Sequence, residues 1–269
     1  MSDTPRPPGM AAGYERFAEP LTAYFARAAL MLAGGVAIGE RVLDVGAGTG
    51  ALALAAAEAG ASVLAIDVSP AMIERLRERL QPFGASDAQV MDGQALRVAD
   101  GTFDTSFSVF GVMLFPEWRR GLAELMRATR PGGRVVMVTW ANPDGGGPPA
   151  LLMPLFRRTL PNAGLPPMPV GLSVLSSPET LKAEMIQTGC ADVVVHSVEG
   201  AWGGPSVDDV LEQIAQMLAW MPLLGALDSD ARARLDKSLR DEIQTMTGSG
   251  EAVRIPVTAN IAVGRRRKD

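Results

Sequence analysis

The chain has 269 residues, 47% of them hydrophobic and 20% charged, and carries a formal net charge of −5. That length supports one large domain with an appendage or two small domains, and the negative charge argues against a nucleic acid as substrate. The single cysteine, Cys190, excludes an internal disulfide and a multi-cysteine metal site, so we expect no metal and a reducing, cytoplasmic compartment. No apolar run is long enough to span a membrane, and the polar, proline-rich N-terminus lacks the apolar core of a signal peptide.

The first predicted element is a helix from about Tyr14 to Leu32, because apolar residues recur there at helical spacing. Gly34-Gly35 ends this helix. We expect residues 1–35 to form a loose leader and a cap helix near the mouth of a ligand site. Tyr14 and Tyr24 are the two tyrosines of the chain. Each could contact a bound substrate or simply anchor the helix.

A buried strand and a glycine-rich turn follow between Arg41 and Gly50. The apolar run after Arg41 predicts the strand, and the alanine- and leucine-rich run Ala51–Glu58 predicts a helix. Glycine lets the backbone approach a ligand closely, and the free N–H groups of the first helical turn point at that ligand. The spacing is not the G-x-G-x-x-G pattern of nicotinamide-binding folds, and the acid is placed where it can meet a cationic group. The turn's acid and three glycines occupy alternate positions: Asp44, Gly46, Gly48 and Gly50.

Two further predicted strands end in acids. The run Ser62–Asp67 predicts the second strand, and its last residue lies 17 positions beyond Gly50. This is close to the spacing at which doubly wound folds place an acid on a ribose. A weaker third strand, Ala88–Asp92, also ends in an acid. Either acid could instead cap the helix that follows it.

Strands alternating with helices along the rest of the chain predict an α/β fold with a doubly wound, seven-stranded, mostly parallel sheet. A helix is expected over Trp118–Thr129, stopped by a Pro-Gly-Gly turn. The stretches 143–177 and 205–250 depart from the alternation, and we predict them to be helical lid insertions over the active site of a single domain, residues 1–269. The remaining strands are predicted at Phe103–Phe110, Arg134–Trp140, Asp192–Val198 and Val257–Gly264.

The acid-and-glycine motif, the Phe103-Asp104 pair and the phrase Arg130-Pro131-Gly132-Gly133-Arg134 resemble class I S-adenosylmethionine-dependent methyltransferases. The core is similar to the branch that contains ubiquinone and menaquinone methyltransferases and many small-molecule methyltransferases. The resemblance implies a Rossmann-like methyltransferase fold, a last strand antiparallel between strands five and six, and S-adenosyl-L-methionine as cofactor. It places Asp67 on the ribose and Asp92 on the adenine amino group. The cofactor-binding residues that it implies are Asp44, Gly46, Ala47, Gly48, Gly50, Asp67, Val68, Met72, Asp92, Gly93, Gln94, Ser108 and Phe110.

The acceptor end of the site is predicted to be apolar. Many members of the family carry polar residues just after the fourth strand, whereas Gly111 to Phe115 is entirely apolar here. We therefore expect no catalytic side chain, since holding a nucleophile in line with an activated methyl can itself supply roughly 7–11 kcal/mol. The predicted activity is methyl transfer to a small, largely apolar or aromatic acceptor. Its contacts are expected from Tyr14, Tyr24, Met113, Trp140 and Met153.

Two other functions remain open on the sequence. One is a protein of the same fold that binds S-adenosylmethionine without transferring methyl, and the other is a C-methyltransferase of quinone precursors. The sequence also leaves open a monomer or a homodimer. His196, the only histidine, lies within a predicted strand, and we interpret it as structural. Cys190 follows a glycine in a turn with no neighbouring base, which predicts an unreactive thiol.

Overall fold

A computed structural model of the chain describes residues 10–161, 168–218, 227–247 and 252–268. The helices are α1 (Met10–Phe17), α2 (Glu19–Leu32), α3 (Ala51–Glu58), α4 (Pro70–Leu80), α5 (Trp118–Ala128), α6 (Pro148–Thr159), α7 (Val170–Val174), α8 (Pro178–Gln187), α9 (Val207–Leu218) and α10 (Ser229–Thr247). The strands are β1 (Arg41–Val45), β2 (Ser62–Asp67), β3 (Asp87–Val90), β4 (Phe103–Val109), β5 (Thr129–Trp140), β6 (Cys190–Gly204) and β7 (Val253–Arg266). A single 3₁₀ turn, Val112–Leu114, follows β4.

The strands form one sheet in the order β3-β2-β1-β4-β5-β7-β6. Parallel pairing joins the strands from β3 through β5. The last strand, β7, lies between β5 and β6 and is antiparallel to both. The predicted fold class is confirmed, including the antiparallel final strand. The strand order reverses between β1 and β4, and doubly wound sheets bind ligands outside the carboxyl ends of their strands at such a reversal.

The central strand β1 shows why this chain forms a parallel sheet covered on both faces. After the exposed Arg41, all four following residues of the strand are buried. Polar and apolar residues do not alternate there, because helices cover both faces of the sheet. On one side α2 packs against α3, whose alanines are small enough for close packing. Packing on both faces therefore fixes the positions of the carboxyl ends of β1, β2 and β4 at one edge of the sheet.

The predicted helix over residues 14–32 is in fact two helices. The chain leaves α1 at Phe17 and enters α2 at Glu19, with Pro20 in the first turn of α2. Proline lacks a backbone N–H, so it is tolerated in the first turn of a helix but not in the interior. The break places α1 and α2 as separate segments beside the carboxyl ends of the strands. Residues 1–9, the predicted leader, lie outside the described part of the chain.

The β6–β7 pair is longer than predicted. Its ladder runs from Cys190 opposite Arg266 to Gly204 opposite Val253. The extra length was missed because glycines and a tryptophan interrupt the apolar alternation near the end of β6. This extension carries Trp202 to the ligand-binding edge.

The two predicted insertions supply helices outside the sheet. The first contains α6 and α7, the second contains α9 and α10, and α10 packs against both α6 and α9. Residues 162–167, 219–226 and 248–251 of these insertions lie outside the described part of the chain. Across the described residues, no helix combines the length and apolar character needed to cross a bilayer.

Candidate cofactor and acceptor site

A cavity of about 550 Å³ lies at the carboxyl ends of β1, β2 and β4. It brings together most of the residues predicted for the cofactor and the acceptor. Four predicted cofactor residues do not line it, namely Asp44, Ala47, Gly50 and Ser108. Those that do line it are Gly46, Gly48, Asp67, Val68, Met72, Asp92, Gly93, Gln94 and Phe110 for the cofactor and Tyr14, Met113 and Trp140 for the acceptor.

The glycine turn after β1 is held by backbone hydrogen bonds. The amides of Gly46 and Ala47 both donate to the carbonyl of Ile66 at 2.9 Å. Gly46 has a φ of +76°, and a Cβ there would lie 2.8 Å from the Cα of Gly111. Only glycine fits both this backbone conformation and this close approach. The turn therefore presents bare backbone to the cavity.

Three of the residues that do not line the cavity build the turn instead. Ser108 donates its hydroxyl to the Val45 carbonyl and accepts from the Val112 amide, each at 2.9 Å, and so holds the 3₁₀ turn against the glycine turn. A Cβ on Gly50 would meet the Leu76 side chain at 2.3 Å, so this glycine permits close packing of α4. Ala47 is buried, and its backbone amide already donates a hydrogen bond to the Ile66 carbonyl. In this structure the three residues support the turn, and their direct contact with a cofactor stays a prediction.

Asp67 lies at the end of β2 and is already hydrogen-bonded to the turns around it. Its Oδ2 accepts from the Gly48 amide at 3.0 Å and its Oδ1 from the Ser69 amide at 2.9 Å. Neither bond is a side-chain cap of α4, whose N-cap residue is Ser69. A carboxylate has about four acceptor positions, so this one keeps acceptor capacity toward the cavity.

Asp92 lies just beyond β3 in a turn that is closed by its own side chain. Its Oδ1 accepts from the backbone amide of Gln94 at 2.9 Å and from the side-chain amide of Gln94 at 3.0 Å. The side-chain oxygen of Gln94 accepts in turn from the Glu117 amide at 2.8 Å. A Cβ on Gly93 would lie 2.6 Å from the Phe115 ring. Asp92 and Gln94 thus form a hydrogen-bonded polar wall of the cavity, and the Phe115 ring packs behind Gly93.

Asp44 is buried to about 99%, and neither carboxylate oxygen has a hydrogen-bond partner within the described residues. The pKa of this carboxyl is raised to about 7, mainly by burial and in smaller part by the nearby charge of Asp67. The Ala53 backbone N–H lowers this pKa, although it does not reach hydrogen-bonding geometry. An unpartnered buried acid next to a glycine turn calls for a cationic partner.

Aromatic rings form the opposite side of the cavity. The Phe110 ring stacks on the Trp140 ring with centroids 3.6 Å apart and planes 13° apart. Phe25 packs edge-on against both rings. Phe110 has a φ of +58°, a conformation that bulky side chains rarely adopt. Strain of this kind persists where the surrounding structure fixes a functional surface.

The two predicted tyrosines have different positions. The Tyr14 ring lies against the glycine turn, with Cε1 3.5 Å from where a Cβ on Gly48 would be. Burial raises the pKa of the Tyr14 hydroxyl above its ordinary value, a hydrogen bond with Thr22 lowers it, and nearby carboxylates raise it further. Tyr14 is therefore a neutral hydroxyl at physiological pH.

Tyr24 and Met153 do not line this cavity, and their contact with an acceptor stays a prediction. Tyr24 is half exposed, and its hydroxyl donates to the Glu199 carbonyl at 2.9 Å. It lines a neighbouring groove of about 1350 Å³, which includes charged side chains and contains none of the glycine turn. Met153 is buried in α6, so its side chain contributes to packing.

Sequence reasoning missed cavity residues that come from distant segments. They include Leu21 and Thr22 of α2, Leu172 of α7, Trp202 of β6 and Gln213 of α9. No local motif marks them, because only the tertiary fold brings them to one place. Trp202 is also buried with its indole N–H unpartnered among the described residues.

The chain's histidine and cysteine lie elsewhere. His196 is inside β6, opposite Ile261, and lines neither the cavity nor the neighbouring groove. Cys190 is fully buried at the start of β6, and burial raises the pKa of its thiol to about 11. A thiol with that pKa is protonated at neutral pH and is a poor nucleophile.

A family profile and individual relatives both indicate that the chain is similar to methyltransferases. Residues 42–133 match the profile described as a methyltransferase domain. An uncharacterised protein of Mycobacterium tuberculosis is 40% identical over 112 residues, which span 41% of each chain. Demethylmenaquinone methyltransferase of Thermus thermophilus is 32% identical over 162 residues, 56% of this chain and 74% of that protein. The chain belongs to the class I S-adenosylmethionine-dependent methyltransferase family.

The fold agrees with this family. Phosphoethanolamine N-methyltransferase 2 of Haemonchus contortus, solved with phosphomonomethylethanolamine and S-adenosylhomocysteine, superposes with a TM-score of 0.57 at 20% identity. The superposition covers 91% of this chain and 53% of that one. The chain spans about two fifths of the length of the first curated relatives that it matches.

The site also fits the family's cofactor, S-adenosylmethionine. The glycine turn leaves no room for a Cβ at Gly46, so bare backbone faces the cavity. Asp44 is a buried acid without a partner among the described residues, which fits a ligand that carries a cationic amino group. Asp67 keeps acceptor capacity at the distance along the chain where ribose-binding acids occur.

Proposed function

We propose that this chain transfers the methyl group of S-adenosylmethionine to a small, largely apolar or aromatic acceptor. The observation that carries the proposal is the cavity itself. One side carries bare backbone and acids, whereas the other is walled by the stacked Phe110 and Trp140 rings together with Met113 and Leu172. Bound cofactor supplies a methyl group already activated by its sulfonium. The chain must then bind the two reactants, orient them and exclude water.

We assign the cofactor side by the chemistry of its donors and acceptors. Asp44 pairs with the cationic amino group, and Asp67 accepts from the ribose hydroxyls. Asp92 and Gln94 are at the adenine edge, where their hydrogen bonds to each other hold the wall in place. Val68 and Met72 supply apolar surface for the adenine ring. Ser108, Gly50 and Ala47 hold the glycine turn in shape.

The acceptor side explains the chemistry without a general base. The described cavity wall contains no histidine, lysine or cysteine. Its one acid on that side, Asp144, makes two hydrogen bonds to Arg157, at 2.6 and 3.0 Å. The Tyr14 hydroxyl has a raised pKa and does not act as a base near neutrality. The acceptor must therefore present an atom that is already nucleophilic, and dry apolar walls favour a step in which opposite charges disappear.

We also propose that the two insertions form the cover of the acceptor side within a single domain. The first contributes Asp144, Gly145, Gly146, Pro148, Pro149, Met168 and Leu172, and the second contributes Gln213. Within the acceptor class, a quinone precursor methylated at carbon is a specific candidate. It is supported by the likeness to demethylmenaquinone methyltransferase of Thermus thermophilus.

Two measurements test the proposal. Calorimetry should show binding of S-adenosylhomocysteine and no binding of NAD. Incubation with isotopically methyl-labelled S-adenosylmethionine and a panel of phenols, amines, thiols and quinone precursors should give a labelled product. Binding without any labelled product across the panel would favour the protein that binds the cofactor but transfers no methyl. Transfer to a polyphosphate, a nucleic acid or a protein side chain would contradict the proposed acceptor class.

A further inference from the structure

A buried polar cluster joins the N-terminal helices to the glycine turn. Glu19, at the start of α2, is buried and accepts from Arg79 of α4 through both carboxylate oxygens, at 2.7 and 2.8 Å. The hydroxyl of Thr49, which is fully buried, donates to the same carboxylate. Arg79 also donates to the Thr49 carbonyl at 2.9 Å. We call these three mutually bonded residues the latch.

The latch adds side-chain bonds at Thr49 to a glycine turn that the Gly50 amide already closes by donating to the Ala47 carbonyl at 3.0 Å. Thr49 lies between Gly48 and Gly50, and both glycines have left-handed φ values, +56° and +106°. Asp67 fixes the turn at Gly48, one residue earlier. A bidentate arginine–carboxylate pair is strong and directional, particularly where water is excluded. The latch is therefore built to fix one backbone conformation at Thr49.

The same helices carry walls of the cavity. Tyr14 and Phe17 of α1 and Leu21 and Thr22 of α2 all line it. The Tyr14 ring also lies directly against Gly48. A movement of α1 and α2 would thus change the cover of the cavity, and through Glu19 it would change the turn.

We propose that Glu19 is a positioning residue that couples the docking of α1 and α2 to the cofactor-binding conformation of the glycine turn. This rests on the proposed function, since it assumes that the turn binds S-adenosylmethionine. The coupling acts through Arg79 and Thr49 and needs no contact between Glu19 and the cofactor. Coupling of this kind is reciprocal. If docked helices tighten cofactor binding, then bound cofactor stabilises docked helices by the same factor.

The chain offers a matched control in the neighbouring ion pair. Arg75, one helical turn before Arg79 on α4, donates to Glu15 of α1 at 2.7 and 3.0 Å. It joins the N-terminal helices to α4 as the latch does. Its other hydrogen bond goes to Glu78 at 2.8 Å, so within the described contacts it does not bond to the glycine turn. Changing Arg75 removes a bond to the same helices and leaves every hydrogen bond of the latch in place, although Glu15 also lies 3.9 Å from Arg79.

The test compares Thr49→Val, Glu19→Gln and Arg75→Met. Thr49→Val keeps the side chain's shape and the Glu19–Arg79 pair and removes only the hydroxyl. We expect both latch variants to bind S-adenosylhomocysteine at least about tenfold more weakly, the scale of one lost hydrogen bond to a charged group. Arg75→Met should stay within about twofold, because it leaves the bonds of the latch in place and its pair is more exposed than the Glu19–Arg79 pair. Urea denaturation of each variant shows whether it remains folded, and Thr49→Val is the variant least expected to unfold.

A second measurement needs no cofactor. Hydrogen exchange of the ligand-free protein should be faster at both 10–32 and 46–50 in Glu19→Gln, but only at 10–32 in Arg75→Met. If S-adenosylhomocysteine does not bind the natural chain while this exchange pattern appears, the proposed function fails and the latch stands. Equal loss of affinity in Thr49→Val and Arg75→Met would overturn the latch. So would a glycine turn whose exchange is unchanged in Glu19→Gln.

Discussion

The cofactor side and the acceptor side of the cavity are built from different parts of the chain. The cofactor side comes from consecutive strand ends between residues 44 and 94, and backbone hydrogen bonds tie each turn to its neighbour. The acceptor side combines the loop after β4 and the end of β5 with α1, α2, α7, α9 and the far end of β6, which are widely separated in sequence. Its walls are mostly side chains packed on one another.

This difference has a physical consequence. Backbone geometry at a glycine turn tolerates few substitutions, because an added Cβ collides or forces a strained φ. An apolar wall tolerates exchanges of similar volume. We infer that the cofactor side is constrained by the fold, whereas the acceptor side is free to change its substrate. Substitutions on the two sides should therefore separate cofactor affinity from acceptor choice.

Replacement of Asp44 by Asn should have the largest effect on the cofactor side. It removes the buried negative charge proposed to face the cofactor's amino group, so S-adenosylhomocysteine affinity should fall by about 3–5 kcal/mol, as when one partner of a buried pair is lost. Calorimetry at pH 8 measures this change. Unchanged affinity would remove Asp44 from the cofactor's amino group.

Without ligand, the same Asp44→Asn substitution should be favourable, because it should increase the free energy of unfolding at alkaline pH. Burial raises the pKa of Asp44 to about 7, so its contribution to stability is fully present below the unfolded pKa and is lost as pH rises through about 7. The variant lacks this loss and should be more stable than the natural chain at pH 8, by up to about 4 kcal/mol. Urea denaturation at pH 5 and pH 8 measures the difference. Equal stability of the two proteins at both pH values would contradict the unpaired buried charge.

Replacement of Gly46 by Ala tests whether the turn is limited by its backbone. The new side chain must adopt a left-handed conformation and would lie 2.8 Å from the Cα of Gly111. We expect a loss of about 2 kcal/mol or more in the free energy of unfolding. Gly84→Ala is the control, because nothing lies within 4 Å of its added Cβ. Comparable stability of the two variants would contradict the backbone constraint.

The difference between the two sides also explains which residues of the site the sequence could predict. The motif from Asp44 to Gly50 and the strand-ending Asp67 are local patterns, and they fall on the cavity or directly behind it. Trp202 and Gln213 reach the cavity only because β6 extends beyond its apolar run and α9 follows it. No periodicity reports such a tertiary position. Tyr24 was misplaced because helical spacing gives a residue's face but not which groove that face borders.

Replacement of Asp67 by Ala should have an intermediate effect. It removes an acceptor proposed for the ribose and also frees the Gly48 and Ser69 amides. We expect S-adenosylhomocysteine affinity to fall by about 1.5–3 kcal/mol, the range for hydrogen bonds to a charged group. Asp87→Ala at the start of β3 is a suitable control, because Asp87 is exposed and does not line the cavity. Equal losses in the two variants would argue against a ribose contact.

Replacement of His196 by Gln should have the smallest effect. The side chain is half-buried within β6 opposite Ile261, away from both sides of the cavity. A histidine acting as general acid or base contributes about 10²–10⁴-fold to turnover, and it must lie within hydrogen-bond reach of the reacting proton. We therefore expect turnover with an identified acceptor to stay within a few-fold and S-adenosylhomocysteine affinity to be unchanged. A loss of turnover of a hundredfold or more at unchanged affinity and stability would show that His196 reaches the reacting atoms, and the base-free acceptor side would then be wrong.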